Sequence, residues 1–161
     1  MNNFKFSLLV VLLLFVFSSC SKDDDNKLYK TYTSEDLKLI HMDSSKIWKL
    51  EAYYNAYPDF LHSQNDCYID ETYIFKTDGI VEVIAGTENC YYGDSEISAS
   101  EYTFYEERGS VYLSMVKRKV SGDMVSNLVF SLPLMELEAD RMLFAAGEKG
   151  GYGRSLVFVS E

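Results

Sequence analysis

Hydrophobic and polar residues alternate along most of the chain beyond residue 46, and this two-residue period predicts β-strands. Near its start the alternation places Trp48 and Leu50 on one face and Lys49 on the other. The predicted strands, about eight in number, cover residues 47–53, 69–77, 79–86, 101–106, 110–119, 125–132, 141–145 and 154–159. Residues 134–137 follow Pro133, and they form either the bent continuation of the sixth strand or a separate short turn.

A short helix is predicted ahead of the first strand. Its expected N-cap is Ser34 or Thr33, and acidic residues follow in the first turn. The face that shows helical spacing consists of Leu37, Ile40 and His41. The pattern ends near Asp43, so the helix is too short to connect parallel strands.

A β-hairpin is predicted around Asp78-Gly79, because this dipeptide lies between segments rich in β-branched and aromatic residues. A two-residue loop would place Phe75 opposite Glu82 and Cys67 opposite Cys90, whereas a three-residue loop ending at the glycine would shift the pairing by one. Either register brings the two cysteines together, which predicts a disulfide bond. Closing about 24 residues in this way should contribute about 3 kcal/mol to stability.

The predicted fold class is all-β, with an antiparallel sheet, because no helix long enough for a parallel crossover separates the strands. About eight sequential antiparallel strands favour an up-and-down barrel, since closure removes the exposed edges of a sheet. A sandwich of two sheets is the alternative that the same period allows.

The N-terminus combines Lys5 with an apolar run from Phe6 to Phe17, which is typical of a signal peptide and too short to span a bilayer as a helix. Ser18-Ser19-Cys20 follows directly, and this resembles the lipobox of bacterial lipoproteins, although Phe17 stands where the motif usually has leucine. The resemblance implies cleavage before Cys20 and lipidation of that cysteine. The alternative is an ordinary secretory signal with an unpaired cysteine nearby.

Residues 20–33 form a polar, acidic tether that includes Asp23, Asp24 and Asp25. The lysine followed by acidic residues is similar to an export signal that sends lipoproteins to the outer face of the outer membrane, and an anchor that faces the periplasm is the alternative. The chain is therefore divided into a signal peptide (1–19), a lipidated tether (20–33) and a barrel domain (34–161). We expect an outer-membrane protein that faces the cell exterior.

Removal of residues 1–19 would leave 14 basic and 25 acidic side chains, a net charge of −11. Such a charge argues against nucleic acid as a partner and against electrostatic binding to anionic lipid. Membrane association is therefore expected through the N-terminal acyl chains only.

No catalytic constellation is visible in the sequence, and we expect neither enzymatic activity nor a metal or other cofactor. The histidines, His41 and His62, lack the spacing of a zinc site, and His41 is interpreted as a helix residue that is partly buried. Asp70-Glu71 and Glu106-Glu107 are adjacent carboxylates, which we interpret as solvated charges of turns or strands.

The segments 46–50 and 66–79, together with Cys90, resemble the lipocalin-like domains of bacterial lipoproteins. That pattern has a W-x-L strand, a C-x-x-D-D/E-x-Y/F-x-F-x-x-D-G hairpin and a second cysteine. Residues 131–142 are similar to a further strand of the pattern, and Pro133 departs from it. The resemblance spans residues 46–159 and implies a barrel with a Cys67–Cys90 bridge, but little chemistry.

Two kinds of binding are compatible with these residues. The first is a small apolar or amphipathic ligand inside the barrel, whose candidate lining is Trp48, Leu50, Tyr73, Phe75, Tyr102, Phe104, Leu113, Phe130, Phe144 and Phe158. The alternative is that these side chains simply fill the core. The second is a surface that contacts a glycan or a partner protein through Tyr53, Tyr54, Tyr57, Tyr91 and Tyr92.

Overall fold

The structure is a computed structural model that describes residues 30–54, 69–88, 95–121, 123–148 and 151–160. Its strands are β1 (Ser45–Tyr54), β2 (Thr72–Lys76), β3 (Val81–Ile84), β4 (Ile97–Tyr105), β5 (Ser110–Ser121), β6 (Met124–Leu137), β7 (Arg141–Glu148) and β8 (Gly151–Val159). One α-helix, α1 (Lys38–His41), precedes β1, and a 3₁₀ turn (Glu106–Arg108) joins β4 to β5.

The eight strands form one antiparallel sheet in which β1 also pairs with β8. The sheet edges meet where Ile80 forms a bridge with Glu101, and where the Tyr102 N–H donates to the Gly79 carbonyl at 2.7 Å. The result is a nearly closed up-and-down barrel, as the alternating pattern predicts. The two-sheet sandwich is wrong, because all eight strands belong to the same sheet.

The two ends of the barrel differ in what covers them. Because neighbouring strands run in opposite directions, alternate connections lie at the same end. The helix end carries α1, the turn at 77–79, the 3₁₀ turn and the turn at 138–140. The opposite end, which we call the loop end, carries the tips of the β5–β6 and β7–β8 hairpins and residues 95–97.

The β2–β3 hairpin adopts the register of the three-residue loop. Phe75 pairs with Val81, and the Lys76 N–H donates to the Ile80 carbonyl at 3.0 Å, so the pairing of Phe75 with Glu82 is wrong. The reason is the loop ending in Gly79, which has a φ of 86°. A glycine in this conformation adds a residue to the turn and shifts the strands by one. Cys67 and Cys90 lie outside the described residues.

Replacing Gly79 by alanine is expected to lower the free energy of unfolding by about 1–3 kcal/mol, because the positive φ is strained for alanine. An added Cβ would also lie 2.8 Å from the Tyr102 carbonyl oxygen, at the contact that closes the barrel. Gly151→Ala is the matched control, since a Cβ there meets no atom within 4 Å. Urea unfolding of both variants checks the prediction, and equal stabilities would contradict it.

The N-terminal segment caps the helix end. The N-cap of α1 is Leu37, which makes no side-chain capping hydrogen bond, so the predicted cap at Ser34 or Thr33 is wrong. Thr33 instead stabilises the turn before α1, because its N–H donates to Asp36 Oδ2 at 2.7 Å and its Oγ1 accepts from the Asp36 N–H at 3.3 Å. The predicted face is confirmed, since Ile40 and His41 are buried. Trp48 then fixes this segment to the barrel by donating its Nε1–H to the Ile40 carbonyl at 2.9 Å.

Tyr32, which lies in the tether of the sequence interpretation, is buried against the barrel. Its N–H donates to the Gly109 carbonyl at 2.7 Å. Burial, followed by the nearby charge of Glu136, raises the pKa of its hydroxyl. Packing of this tyrosine therefore adds the last residues before α1 to the folded barrel.

β6 continues through Pro133 to Leu137, so residues 134–137 are the continuation of the sixth strand. Pro133 pairs with Tyr112 of β5, whereas the ladder to β7 begins one residue later, at Leu134 opposite Phe144. The described ladder of β6 with β7 thus lies on the helix-end side of the proline. This position suits a residue that cannot donate a ladder hydrogen bond.

Candidate functional site

The barrel interior contains most of the predicted lining residues. Eight of the ten are buried in one apolar cluster, namely Trp48, Leu50, Tyr73, Phe75, Tyr102, Leu113, Phe144 and Phe158. Phe104 is half-buried and packs against the same cluster. The side chain of Phe130 is not among those that the structure describes, although its backbone pairs with Met115. The alternation therefore selects the inward face of the described strands correctly.

Phe75 is the centre of this aromatic cluster. Its ring centroid lies 5.6 Å from that of Phe158 and 5.8 Å from that of Tyr102. The rings of Trp48 and Phe144 follow at 6.5 Å and 6.4 Å. Two of these pairs, those with Trp48 and Phe158, meet edge to face, which is a favourable geometry for aromatic rings. Around Phe75 the interior is thus packed by the protein's own rings.

Tyr102 shows how tightly this region is enclosed. Its hydroxyl donates to the Lys76 carbonyl at 2.6 Å, which attaches β4 to the end of β2. Burial, with a smaller contribution from the charge of Asp78, raises the pKa of Tyr102 to about 12. The tyrosine is therefore neutral at physiological pH and acts as a hydrogen-bond donor within the cluster.

Glu71 is a buried residue that the sequence interpretation placed wrongly. Its side chain is 1% exposed, so the interpretation of this carboxylate as a solvated charge is wrong. Oε1 accepts hydrogen bonds from Ser95 Oγ, the Glu96 N–H and the Ile97 N–H, and Oε2 accepts one from the Tyr73 hydroxyl at 3.2 Å. The carboxylate therefore attaches the start of β4 to the start of β2.

The neighbouring carboxylates fit the solvated interpretation better. Glu106 and Glu107 are exposed in the 3₁₀ turn, as expected. Asp70 is half-buried, and its Oδ2 accepts a hydrogen bond from the Glu88 N–H at 2.7 Å. This backbone hydrogen bond is the main reason why the pKa of Asp70 is lowered. Alternation explains the contrast, since Glu71 is in phase with the buried Tyr73 and Asp70 is not.

The pKa of Glu71 is raised, because the removal of its carboxylate from water outweighs its hydrogen bonds. Those hydrogen bonds, from Ser95 first and then from Ile97, Glu96 and Tyr73, act in the opposite direction. A carboxyl group with a raised pKa beside a hydrophobic cluster is a frequent feature of binding and catalytic sites. It marks the loop-end half of the interior as chemically different from the aromatic half.

Glu96 is the second buried carboxylate of this region, and it is also 1% exposed. Its Oε1 forms an ion pair with Lys117 Nζ at 2.6 Å. Within the described residues, its Oε2 is buried and accepts no hydrogen bond, and the same holds for Ser100 Oγ. We call Glu71, Glu96, Ser100 and Lys117 the polar wall. The sequence analysis does not predict this wall, although Lys117 has the same phase along β5 as the buried Leu113 and Met115.

Tyr73 connects the polar wall with the aromatic cluster. Its hydroxyl donates to Glu71, while its ring lies 5.1 Å from that of Phe158 at an interplanar angle of 80°. One side chain thus contacts a carboxylate at one end and a hydrocarbon core at the other.

The remaining candidates carry no chemistry in the described part of the chain. His41 is buried, and its Nδ1 accepts a hydrogen bond from the Asp43 N–H at 3.1 Å, which gives it a role in the helix C-terminus. His62 and the side chains of the five surface tyrosines lie outside what the structure describes. Among the described residues, no three histidine, cysteine or acidic side chains form a group that could hold a metal ion.

Comparisons with known proteins leave the residues and their geometry as the basis for any functional conclusion. No protein-family model matches the chain, and no curated protein or solved structure is significantly similar to it. Within the described ranges, no helix has the length and hydropathy that crossing a bilayer requires.

Proposed function

We propose that the protein is a non-catalytic, lipid-anchored lipoprotein of the bacterial cell envelope, whose lipocalin-like barrel binds a small apolar or amphipathic ligand. The observation that carries the ligand is a nearly closed eight-stranded barrel in which, within the described residues, the buried Glu96 Oε2 and Ser100 Oγ near the loop end have no hydrogen-bond partner. The same holds for the Tyr32 hydroxyl and Ser110 Oγ at the helix end. An eight-stranded barrel has an interior large enough for either its own side chains or one small molecule. Here the aromatic cluster accounts for one part of that interior.

The two ends of the barrel suggest how a ligand would reach the interior. At the helix end, α1 and the hydrogen bond from Trp48 to the Ile40 carbonyl close the barrel. At the loop end, the described part of the wall carries Ser100 and the buried carboxylates. Access from the loop end would therefore require no rearrangement of α1.

The proposed lipid anchor depends on the N-terminal residues, which lie outside the part of the chain that the structure describes. An acyl group on Cys20 would supply the membrane affinity that a strongly acidic chain cannot obtain from anionic lipid. We expect the full-length protein to remain with the outer membrane after a high-salt wash and the Cys20→Ser variant to be released. Release of both proteins by salt would contradict the lipid anchor. Exposure at the cell surface is tested separately, by adding a protease to intact cells and measuring whether the protein is digested.

The Cys67–Cys90 disulfide is supported by the hairpin ends that flank it. Asp70 accepts a hydrogen bond from the Glu88 N–H at 2.7 Å. Cys67 lies three residues before Asp70, and Cys90 lies two residues after Glu88. Each residue spans about 3.5 Å, so the sulfur atoms can meet.

We expect both of these cysteines to resist alkylation until a reductant is added. The double variant Cys67→Ser/Cys90→Ser should lose about 3 kcal/mol of stability in urea unfolding. The untreated protein serves as the control for reduction in the same measurement. Full alkylation of both cysteines without a reductant would contradict the bridge.

Ligand binding can be tested with a fluorescent apolar probe such as N-phenyl-1-naphthylamine, added to a soluble form that begins at Asn26. Trp48 is the sole tryptophan, and its burial beside Phe75 makes it an energy donor inside the barrel. We expect saturable binding of one probe per chain, with quenching of the Trp48 emission. Probe fluorescence that rises without saturation and leaves the tryptophan unchanged would contradict the proposal.

A pair of variants on β4 distinguishes the interior from the outer surface. Ser100 is in phase with the buried Tyr102, whereas the adjacent Glu101 is exposed. Ser100→Leu is expected to weaken probe binding about tenfold by filling the interior, whereas Glu101→Leu should leave it unchanged. A stronger effect of the outer substitution would place the binding site on the surface.

A further inference from the structure

Two buried oxygens on the polar wall point to a missing hydrogen-bond donor. Buried polar atoms in folded proteins almost always have a partner, and a buried carboxylate oxygen without one is costly. Glu96 is 99% buried, yet within the described residues only its Oε1 is paired, with Lys117, and Oε2 has no partner. Ser100 Oγ is a second buried oxygen in the same condition.

The two oxygens belong to one region of the barrel wall. Glu96 directly precedes β4, and Ser100 lies four residues further along, opposite Met115 of β5. Met115 is fully buried in the interior cluster, so this part of β4 and β5 borders the core. The neighbouring Glu71 is already occupied, since its two oxygens accept hydrogen bonds from four groups. The carboxylate oxygen left for a guest on the described part of this wall is therefore Glu96 Oε2.

The charges of the polar wall favour a cation over an anion. Glu71 and Glu96 share this wall with one basic side chain, Lys117, which is already bound to Glu96. Arg154 lies on β8, four strands away from β4 around the barrel, and it is engaged in a contact of its own. The free acceptor on Glu96 thus calls for a group that donates hydrogen bonds and carries positive charge.

We propose that the polar wall binds the protonated amino group of a small amphipathic amine, with Glu96 Oε2 as the acceptor. The apolar part of the amine lies against Tyr73 and the aromatic cluster behind it. This inference rests on the proposed ligand-binding function and specifies its ligand as cationic. An ammonium group has three donors and no acceptor, so it supplies the hydrogen bond that Glu96 Oε2 lacks without adding an unpaired acceptor of its own.

The test compares three compounds that share a phenyl body and differ in the charge of the head group. They are 2-phenylethylamine, 2-phenylethanol and 3-phenylpropionate, titrated calorimetrically into the full-length chain in non-ionic detergent. We expect the amine to bind about ten- to a hundredfold more tightly than the alcohol, because a hydrogen bond to a charged group is stronger than a neutral one. The carboxylate should bind most weakly.

Glu96→Gln is expected to reduce the affinity for the amine to that for the alcohol and to leave the alcohol affinity unchanged. Glu101→Gln, an exposed change nearby on β4, is the matched control and should alter neither affinity. If the wild-type protein binds the amine and the alcohol with equal affinity, the inference is overturned and the ligand-binding barrel is retained. The same holds if it binds the carboxylate more tightly than the amine. If none of the three compounds binds but the apolar probe does, the cationic ligand is overturned and the proposed function stands. If the probe also fails to bind, both are overturned.

Discussion

Replacing Phe75 by alanine is expected to lower the free energy of unfolding by about 3–5 kcal/mol, the largest stability effect that the interior predicts. The ring is fully buried and lies within 6.5 Å, centroid to centroid, of four other aromatic rings. Alanine would leave a cavity that these rigid neighbours can fill only in part. The rings also belong to strands on several sides of the barrel, so little local adjustment is available.

Urea unfolding, followed through Trp48 fluorescence, measures this loss directly. Tyr105→Ala is the control, because Tyr105 is an aromatic residue that is 44% exposed and contacts the ring of Tyr112 alone among the described aromatic pairs. We expect it to cost less than about 1 kcal/mol. Equal losses in the two variants would mean that Phe75 is not the centre of the packed interior.

Replacing Glu71 by alanine is expected to cost about 3–5 kcal/mol, since removal of a buried charged acceptor leaves its donors without partners. The Glu96 N–H, the Ile97 N–H and the Tyr73 hydroxyl would each lose an acceptor inside the barrel. Glu106→Ala, a change of an exposed carboxylate, is the control and should be nearly neutral. A small effect in chemical unfolding of the Glu71 variant would show that this carboxylate does not attach β4 to β2.

The pH dependence of stability offers an independent check on Glu71. Its folded-state pKa is raised above the usual value of 4.5, so the folded protein binds this proton more tightly than the unfolded chain does. The contribution of the protonated group is therefore fully present below pH 4.5 and is lost as the pH rises through the raised pKa. Glu71→Gln, which cannot ionise, should remove this loss. The stability of the wild type relative to Glu71→Gln should thus fall as the pH rises above 4.5, and a relative increase would contradict the burial of this carboxyl.

Much of the fold follows from local patterns, because alternation reports directly which face of a strand is buried. Trp48, Phe75 and Phe144 are all identified as inward-facing by their phase alone. Register is harder to predict, because it depends on the conformation of a single turn residue. Gly79 adopts a positive φ and lengthens the loop, and the pairing of the whole hairpin shifts with it.

The polar wall shows what a period of two does not predict. Glu71 has the phase of an inward residue, but a charge in that position looks solvated until its partners are known. Three of its four partners, at Ser95, Glu96 and Ile97, lie more than 20 residues away in the chain. The shift in pairing between Ile97 and Ala99 also changes the phase of β4 relative to the residues before it. Burial of Glu96 is therefore a consequence of tertiary packing rather than of local pattern.

The barrel is closed at its helix end, and its interior has an aromatic part and a polar part. Under the proposed function, this division would suit a ligand with a hydrocarbon body and a polar head group, since Tyr73 lies between Phe158 and Glu71. The acyl anchor would hold such a binding domain at the membrane, while the net charge of −11 that remains after cleavage would keep its surface from adsorbing to anionic lipid.

Native mass spectrometry of the full-length chain, purified from its own host in mild detergent, tests ligand binding most directly. We expect the native mass to exceed that of the acylated polypeptide by the mass of one small molecule, which is released on denaturation. A native mass equal to that of the acylated polypeptide, before and after denaturation, would contradict a ligand-binding barrel.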